Sequence, residues 1–390
     1  MRHPALAKWI TRLAGATIIL AGGSLALIGS PAVATSSPFD APSSLAILGT
    51  HLFVANQANS SLTEVDAGTG ALIATIPAST LKVSSPVAVV ADDDKLFVAG
   101  QDGSIAVLSA DGAFVSQVVV TGCGAAAALA VESTSTIIEL CENGRINQLS
   151  TAGTTLTSMI KASVIKASEP TFIQATALAI EGTSAYVTFT TTSNASDGVA
   201  AFSLPSGTLT TAVDDSTNPS DAFAAPAGIA VAGKFLWITN AGTGGSSPSI
   251  EQLRRADLSF IISDSSSADL GTAGAVLAHH APGSNDTDVY VATLQGTTAP
   301  MVSYYNPPLV QPATPTLSWR WMMCNTNASG TLINPNRHPY KFDHPSAFAL
   351  YGSTLWVANA ATDANNSPQP YATHVEAMDA ETGAFLFNAS

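Results

Sequence analysis

The densest gathering of side chains able to do chemistry lies between residues 319 and 344, where Trp319, Trp321, Met322, Met323, Cys324, Arg337, His338, Tyr340, Phe342, Asp343 and His344 fall close together. Aromatic rings cover the apolar part of a ligand, while imidazole and carboxylate meet its polar end. Asp343, His344, Trp321, Tyr340 and His338 therefore form a candidate ligand-binding set. The same composition suits a plug that only fills space, because clustered Trp and Met pack well. Acidic residues also precede apolar runs elsewhere, at Asp40, Glu169, Asp215 and Asp221. Hard divalent cations take carboxylate oxygens, so Asp40, Glu169, Asp221 and Asp343 are the candidate set for calcium or magnesium; no other cofactor is expected, and plain solvation of loop carboxylates is the competing reading.

Other reactive residues give no catalytic signature. His279 and His280 stand together, and His51 and His374 are isolated; none has metal-ligand spacing. The chain holds no G-x-S-x-G, H-E-x-x-H, phosphate-binding glycine loop or C-x-x-C. Of its three cysteines, Cys123 and Cys141 are 18 positions apart and Cys324 is left over.

The elements that must position these residues repeat. Aligning short apolar runs on a central alanine gives Ala46, Ala88, Ala130, Ala179 and Ala230, separated by 42, 42, 49 and 51 residues, with Val276 and Ala349 in the same place at 46 and 73. Around Ala230, the run Ile229–Val231 meets a turn at Gly233 and a second run, Phe235–Ile238, ends in Asn240. That is a tight hairpin, and two further strands follow in most units. Four short strands every 40 to 50 residues predict an all-β fold, a β-propeller of four-stranded antiparallel blades. Seven blades are counted, six or eight remaining open because the third and sixth units are diffuse. The small-residue run around each alanine should be innermost. The last unit contains its own fourth strand at Phe385–Phe387, so side-chain packing between first and last blades is expected to close the ring.

In that arrangement Cys123 precedes the inner strand of blade 3 and Cys141 ends its neighbour, which brings the two to one edge and predicts a disulfide. The connections between second and third strands, and those between blades, share one face and are the long ones here: residues 191–197, 241–249, 295–300, 320–344 and 361–373. Long loops on a rigid frame direct attention to that face, with solvated decoration as the alternative.

Phe53-Val54-Ala55-Asn56, Trp237-Ile238-Thr239-Asn240 and Trp356-Val357-Ala358-Asn359, with Val65-Asp66…Thr69-Gly70 and Met378-Asp379…Thr382-Gly383, resemble the YVTN-type and NHL-like repeats of secreted bacterial propellers. The resemblance spans about residues 42–387. It implies a rigid extracellular disc whose loops carry the activity, in a group that includes binding proteins, lactonases and lyases. Asn56, Asn240 and Asn359 match the polar residues that such lyases and lactonases turn toward the axis, but asparagine at a repeated strand end also serves simply to terminate it.

Arg2, Lys8 and Arg12 precede an apolar run at residues 13–28 and the small residues Pro31-Ala32-Val33-Ala34. This pattern predicts a secretory signal over residues 1–34, cleaved after Ala34, and a single propeller domain over 35–390. Cleavage takes 3 of the 14 basic residues and none of the 28 acidic ones, leaving 11 − 28 = −17. So acidic a chain is repelled by phosphate backbones, which excludes nucleic acid. No membrane span is expected after cleavage. The sequence thus predicts a monomeric, secreted or cell-surface propeller that binds an extracellular protein or small-molecule ligand through its long-loop face. The alternative is a lactonase-like or streptogramin-lyase-like enzyme with a divalent cation at the channel mouth.

Overall fold

In the computed structural model, which describes residues 37–389 except 93, 134–135, 153–155, 162–163, 167–168, 193–195, 205, 216–222, 243–246, 266–269, 271, 280–286, 294–300, 307–318, 325–341, 343 and 361–372, strands group into seven antiparallel sheets of four. Each sheet is built from strands consecutive in sequence. The chain is a seven-bladed β-propeller.

Burial explains the order of strands within a blade. In blade 5 the second strand, Phe235–Asn240, is buried at every position and the third, Ser249–Arg254, at all but its last. The fourth strand of blade 2, Phe114–Val119, alternates between exposed and half-buried residues. A strand buried on both faces reads as a continuous apolar run, and each large side chain it removes from water contributes about 1.5–3 kcal/mol. That burial is supplied by neighbouring blades. One core cluster joins Ile138, Leu140 and Ile146 of blade 3 to Val187, Ala200 and Phe202 of blade 4. First strands lie side by side around the ring, in keeping with the small residues that they carry.

The entry to a blade has a repeated backbone device. Ala41, Ser85, Ala225 and His344 have φ of 50°, 45°, 52° and 62°, and each precedes a proline that opens a first strand. Left-handed backbone is uncommon for residues with a Cβ, and something must hold it. The carbonyl of each accepts an N–H from the end of the second strand, from the residue just past it in Gln57 to Ala41 at 3.0 Å, Gln101 to Ser85 at 3.2 Å and Ala241 to Ala225 at 2.9 Å, and from its last residue in Ala360 to His344 at 3.0 Å. His344 thus occupies, through its backbone, a scaffold position that other blades fill with alanine or serine.

Closure uses the contacts found between other blades. Ser346 Oγ of blade 7 donates to the Pro42 carbonyl of blade 1 at 2.6 Å, as Ser43 Oγ of blade 1 donates to the Pro86 carbonyl of blade 2 at 2.7 Å. Trp356, fully buried, donates its indole N–H to the Ala67 carbonyl at 3.2 Å and packs with Leu52, Val54 and Val65 across the seam. All four strands of blade 7 come from residues 345–388, so among the described residues no strand is exchanged between the first and last blades.

One boundary differs from the sequence reading. The fourth strand of blade 6 is Trp319–Cys324, not a segment ending at Trp319. Trp321 and Met322 pair in register with Tyr304 and Ser303, so they belong to a sheet and the inter-blade insertion begins after them. The unusual composition of the Trp-Met-Met run suggests a loop, yet aromatic residues suit an outer strand equally well.

The seam predicts its own sensitivity. Trp356→Ala should cost about 3–5 kcal/mol, read as a lower urea midpoint, because a large cavity opens where no strand spans the gap. Ser346→Ala should cost only about 0.5–1.5 kcal/mol, the worth of one hydrogen bond.

Candidate functional site

Second strands end, and third strands begin, on the face that also carries the long connections. Asn56, Asn240, Cys141 and Thr293 each close a second strand, and Asn359 is the penultimate residue of another. All five are buried. Two residues before these ends, the third strand places a polar residue opposite: Thr63 beside Val54, Asn147 beside Glu139, Glu251 beside Ile238, Ser303 beside Val291 and Glu376 beside Val357. A layer of polar side chains therefore lies just under the long-loop face.

In blade 1 this layer is satisfied. Asn56 Nδ2 donates to Ser61 Oγ at 3.1 Å and Thr63 Oγ1 at 2.8 Å, and its Oδ1 accepts the Asp40 N–H at 3.1 Å. Thr63 donates in turn to the Pro38 carbonyl at 2.7 Å. Residues 38–40 thus cover the end of the blade with main-chain donors and acceptors.

Blades 5 to 7 differ. Asn240 Nδ2 reaches Ser249 Oγ at 2.9 Å and Glu251 Oε1 at 3.0 Å, but its Oδ1 has no partner among the described residues. Next to it, Thr293 Oγ1 and Ser303 Oγ are likewise buried and unpaired. In blade 7, Asn359 Nδ2 lies 3.5 Å from His374 Nε2, which is 3.7 Å from Glu376 Oε2, while His374 Nδ1 and Glu376 Oε1 make no hydrogen bond among the described residues. Glu376 is only 1% exposed. A buried polar atom without a partner costs about 1–3 kcal/mol, so several together on adjacent blades need a reason.

Of the ligand-binding set expected from sequence, His344 is fixed by its backbone as described, Trp321 lies in the outer strand of blade 6, and Asp343, Tyr340 and His338 fall outside the described residues. Of the expected cation set, Glu169 accepts both the backbone N–H of Thr171, at 3.4 Å, and its hydroxyl, at 2.5 Å, while Asp40 caps blade 1 through its main chain. Asp221 and Asp343 lie outside the described residues. The site residues that sequence reasoning missed are Glu251, His374 and Glu376. Their sequence signal is weak: Glu251 stands between Ile250 and Gln252, His374 between Thr373 and Val375, and only Glu376, between Val375 and Ala377, has apolar neighbours on both sides.

The predicted cysteine pair is a disulfide, with sulfurs 2.08 Å apart and Cα atoms 5.2 Å apart. Its surroundings were not foreseen. Glu139, fully buried, places Oε1 at 3.7 Å from Cys123 Sγ, and Asn147 Nδ2 bridges Glu139 Oε2 at 2.9 Å and Cys141 Sγ at 3.4 Å. Burial pushes the Glu139 carboxyl up to about 7, against the Asn147 hydrogen bond and the Arg145 charge, which pull it down. These two sulfurs and this carboxylate form the one set of three potential metal-ligating residues within 4.8 Å among the described residues, and the disulfide occupies its sulfurs.

With this geometry in hand, comparison with known proteins is informative about architecture. No protein-family profile and no curated protein matches the sequence. Solved structures do match. Hydrazine synthase of Kuenenia stuttgartiensis aligns with a TM-score of 0.59 at 14% identity, over 90% of this chain and 98% of that one. A functionally unknown protein from Desulfotomaculum acetoxidans DSM 771 gives 0.59 at 13% identity, over 87% and 95%, and the computationally designed Ika8 protein gives 0.52 at 13%, over 90% and 86%. The likeness is one of fold. Function does not travel with a propeller fold; it resides in the side chains that a particular propeller presents.

Two measurements test the electrostatics of this face. The unfolded chain ionises Glu139 near 4.5 whereas the fold holds it neutral to about 7. Its stabilising contribution is therefore whole below 4.5 and is lost as pH rises to about 7. Glu139→Gln should be more stable than the parent at pH 8 by up to about 3 kcal/mol in urea unfolding, the two converging as pH falls toward 4.5. Asp197, fully buried, accepts the Thr191 N–H at 2.7 Å, the Thr191 hydroxyl at 3.1 Å and, from the next blade's entry, the Ala225 N–H at 2.9 Å. Asp197→Ala strands all three donors and should cost about 2–4 kcal/mol in the same assay.

Proposed function

We propose that this chain is a secreted, YVTN- or NHL-like binding propeller, released by cleavage after Ala34, that acts as a monomer and receives an extracellular ligand on the long-loop face over blades 5 to 7. The observation that carries this reading is the set of buried atoms at Asn240, Thr293, Ser303, His374 and Glu376 that have no partner among the described residues. Two acceptor-bearing groups, two hydroxyls and an imidazole offer a ligand both donors and acceptors. Blade 1 supplies the internal contrast, since the equivalent groups there are covered by residues 38–40. A polar ligand or the polar segment of a protein would stand over blades 5 to 7 as those residues stand over blade 1.

The role is a binding one. The sequence holds no hydrolase motif, and the His374–Glu376 pair offers groups for hydrogen bonding to a ligand. The face and the role are tested together by immobilising the mature chain, residues 35–390, and passing extracellular and cell-wall fractions of the source organism over it. The expected result is a defined partner retained by the parent and lost by both His374→Ala and Asn240→Ala; equal retention by the variants would overturn the choice of face. A lactonase or lyase reading makes a different demand: calcium or magnesium would raise the melting temperature of the parent but not of Glu376→Gln or Asp343→Ala.

A further inference from the structure

On the opposite face, between blades 6 and 7, the hairpin ends enclose a pocket of about 330 Å³. Its position follows from topology. His279 ends the first strand of blade 6, Ala273–His279, and pairs with Asp288 at the start of the second; Tyr304 lies near the end of the third, and Asn306 follows it. Blade 7 contributes Ala380 and Glu381 from the turn between its third and fourth strands. The volume is at the lower end of what small-molecule sites enclose.

The chemistry of the lining is one-sided. Asp288 and Glu381 bring carboxylates and His279 an imidazole, and no Lys or Arg is among the described lining residues. Asp288 is held in place rather than loosely solvated: its Oδ1 accepts the Tyr304 hydroxyl at 2.6 Å and the Asn306 amide at 2.9 Å. Both donors converge on that single oxygen, and Oδ2 takes no hydrogen bond among the described residues. Asn306 Nδ2 also reaches the Tyr304 hydroxyl at 2.9 Å, which fixes the ring edge. The rings of Tyr290 and Tyr304 stack with centroids 5.1 Å apart and form an aromatic wall. Tyr290 is spent on the scaffold, since its hydroxyl donates to the Ala380 carbonyl across the blade boundary at 3.1 Å. Burial, and then the Asp288 charge, push its phenol well above the ordinary value, so it stays a donor.

We infer that this pocket binds a small organic ammonium ion, the charged nitrogen sitting between Asp288 and Glu381 and the carbon chain lying along the Tyr290–Tyr304 wall. An oriented carboxylate with a spare oxygen pairs with N⁺–H at short range, while the stacked, nearly buried tyrosine pair supplies a rigid edge for the carbon chain. Across the molecule a net charge of −14 raises the local concentration of cations and lowers that of anions. This site is on the face away from the long loops, and it goes beyond the binding role proposed above without resting on it.

Butane-1,4-diamine is the probe, with butane-1,4-diol as its uncharged counterpart, titrated calorimetrically into the mature chain at low salt. The diamine should bind and the diol should not. Asp288→Asn keeps an oxygen for Tyr304 and Asn306 while removing the charge, and Glu381→Gln changes a turn; each should weaken the diamine by roughly ten-fold or more. Raising ionic strength from about 0.01 M to about 0.15 M should weaken binding to the parent, since the screening length falls from about 30 Å to about 8 Å. Should Asp288→Asn fail to match the parent's melting curve, Glu381→Gln alone carries the test. No heat of binding up to about 10 mM diamine, unchanged affinity in the variant that folds, or a diol bound as tightly as the diamine would each overturn the assignment.

Discussion

A four-stranded sheet whose middle strands are apolar on both faces has to be covered twice, and a ring of like sheets is the arrangement in which every blade covers two neighbours. Everything else in this protein answers to that requirement. Phe235–Asn240 is buried at every position because blades stand on both sides of it. Small residues gather on the first strands, where sheets crowd toward the axis, and the outer strands alternate because they meet neighbours less completely. The left-handed residues Ala41, Ser85, Ala225 and His344, each clamped through its carbonyl, let the chain turn sharply from one blade into the next first strand.

Closure follows from the same burial. Without a shared strand, the first and last blades adhere as other pairs do, through Ser346 on the Pro42 carbonyl, Trp356 on the Ala67 carbonyl and the apolar cluster around Val54 and Ala358. The segment before blade 1 adds a strap rather than a strand. Pro38 and Asp40 satisfy the Asn56–Thr63 pair, and Ser37 Oγ donates to the Thr373 carbonyl of blade 7 at 2.9 Å. The chain end thus serves both as a cover for one blade and as a tie to its neighbour.

The parts of the fold legible in the sequence were those that repeat. Period and alternation marked the blades, and Asp66 and Asp379 marked their turns: each accepts N–H and hydroxyl from a threonine three residues on, Thr69 or Thr382, which holds its carboxyl below the ordinary range. The disulfide was legible because a hairpin fixes which residues share an edge. The left-handed entry was not, since alanine, serine and histidine give no local sign of positive φ; only the following proline recurs. The extent of the outer strand Trp319–Cys324 past Trp319 was not legible, because Trp321, Met322 and Met323 differ from the residues of other outer strands. Glu251 and Glu376 were not legible, and His374 read only as an isolated histidine, because an acidic or imidazole residue in a strand looks solvent-facing until a neighbouring blade is placed against it.

The strand-end position shows how a repeat acquires individuality. Where blade 1 has Asn56 bonded to Thr63, blade 3 has Cys141 beside Asn147, and there the same polar layer encloses a disulfide and a carboxyl kept neutral by burial. Blades 5 and 7 return to asparagine but set it against Glu251 or beside His374 and Glu376, a heavier charge than threonine and harder to satisfy internally. Buried polar groups of this kind weaken a blade unless something answers them. A ring that tolerates them on adjacent blades, while covering their counterparts in blade 1, is asymmetric in its chemistry although nearly symmetric in its backbone. The backbone symmetry is what stability needs, and the chemical asymmetry resides in side chains that can vary without disturbing it.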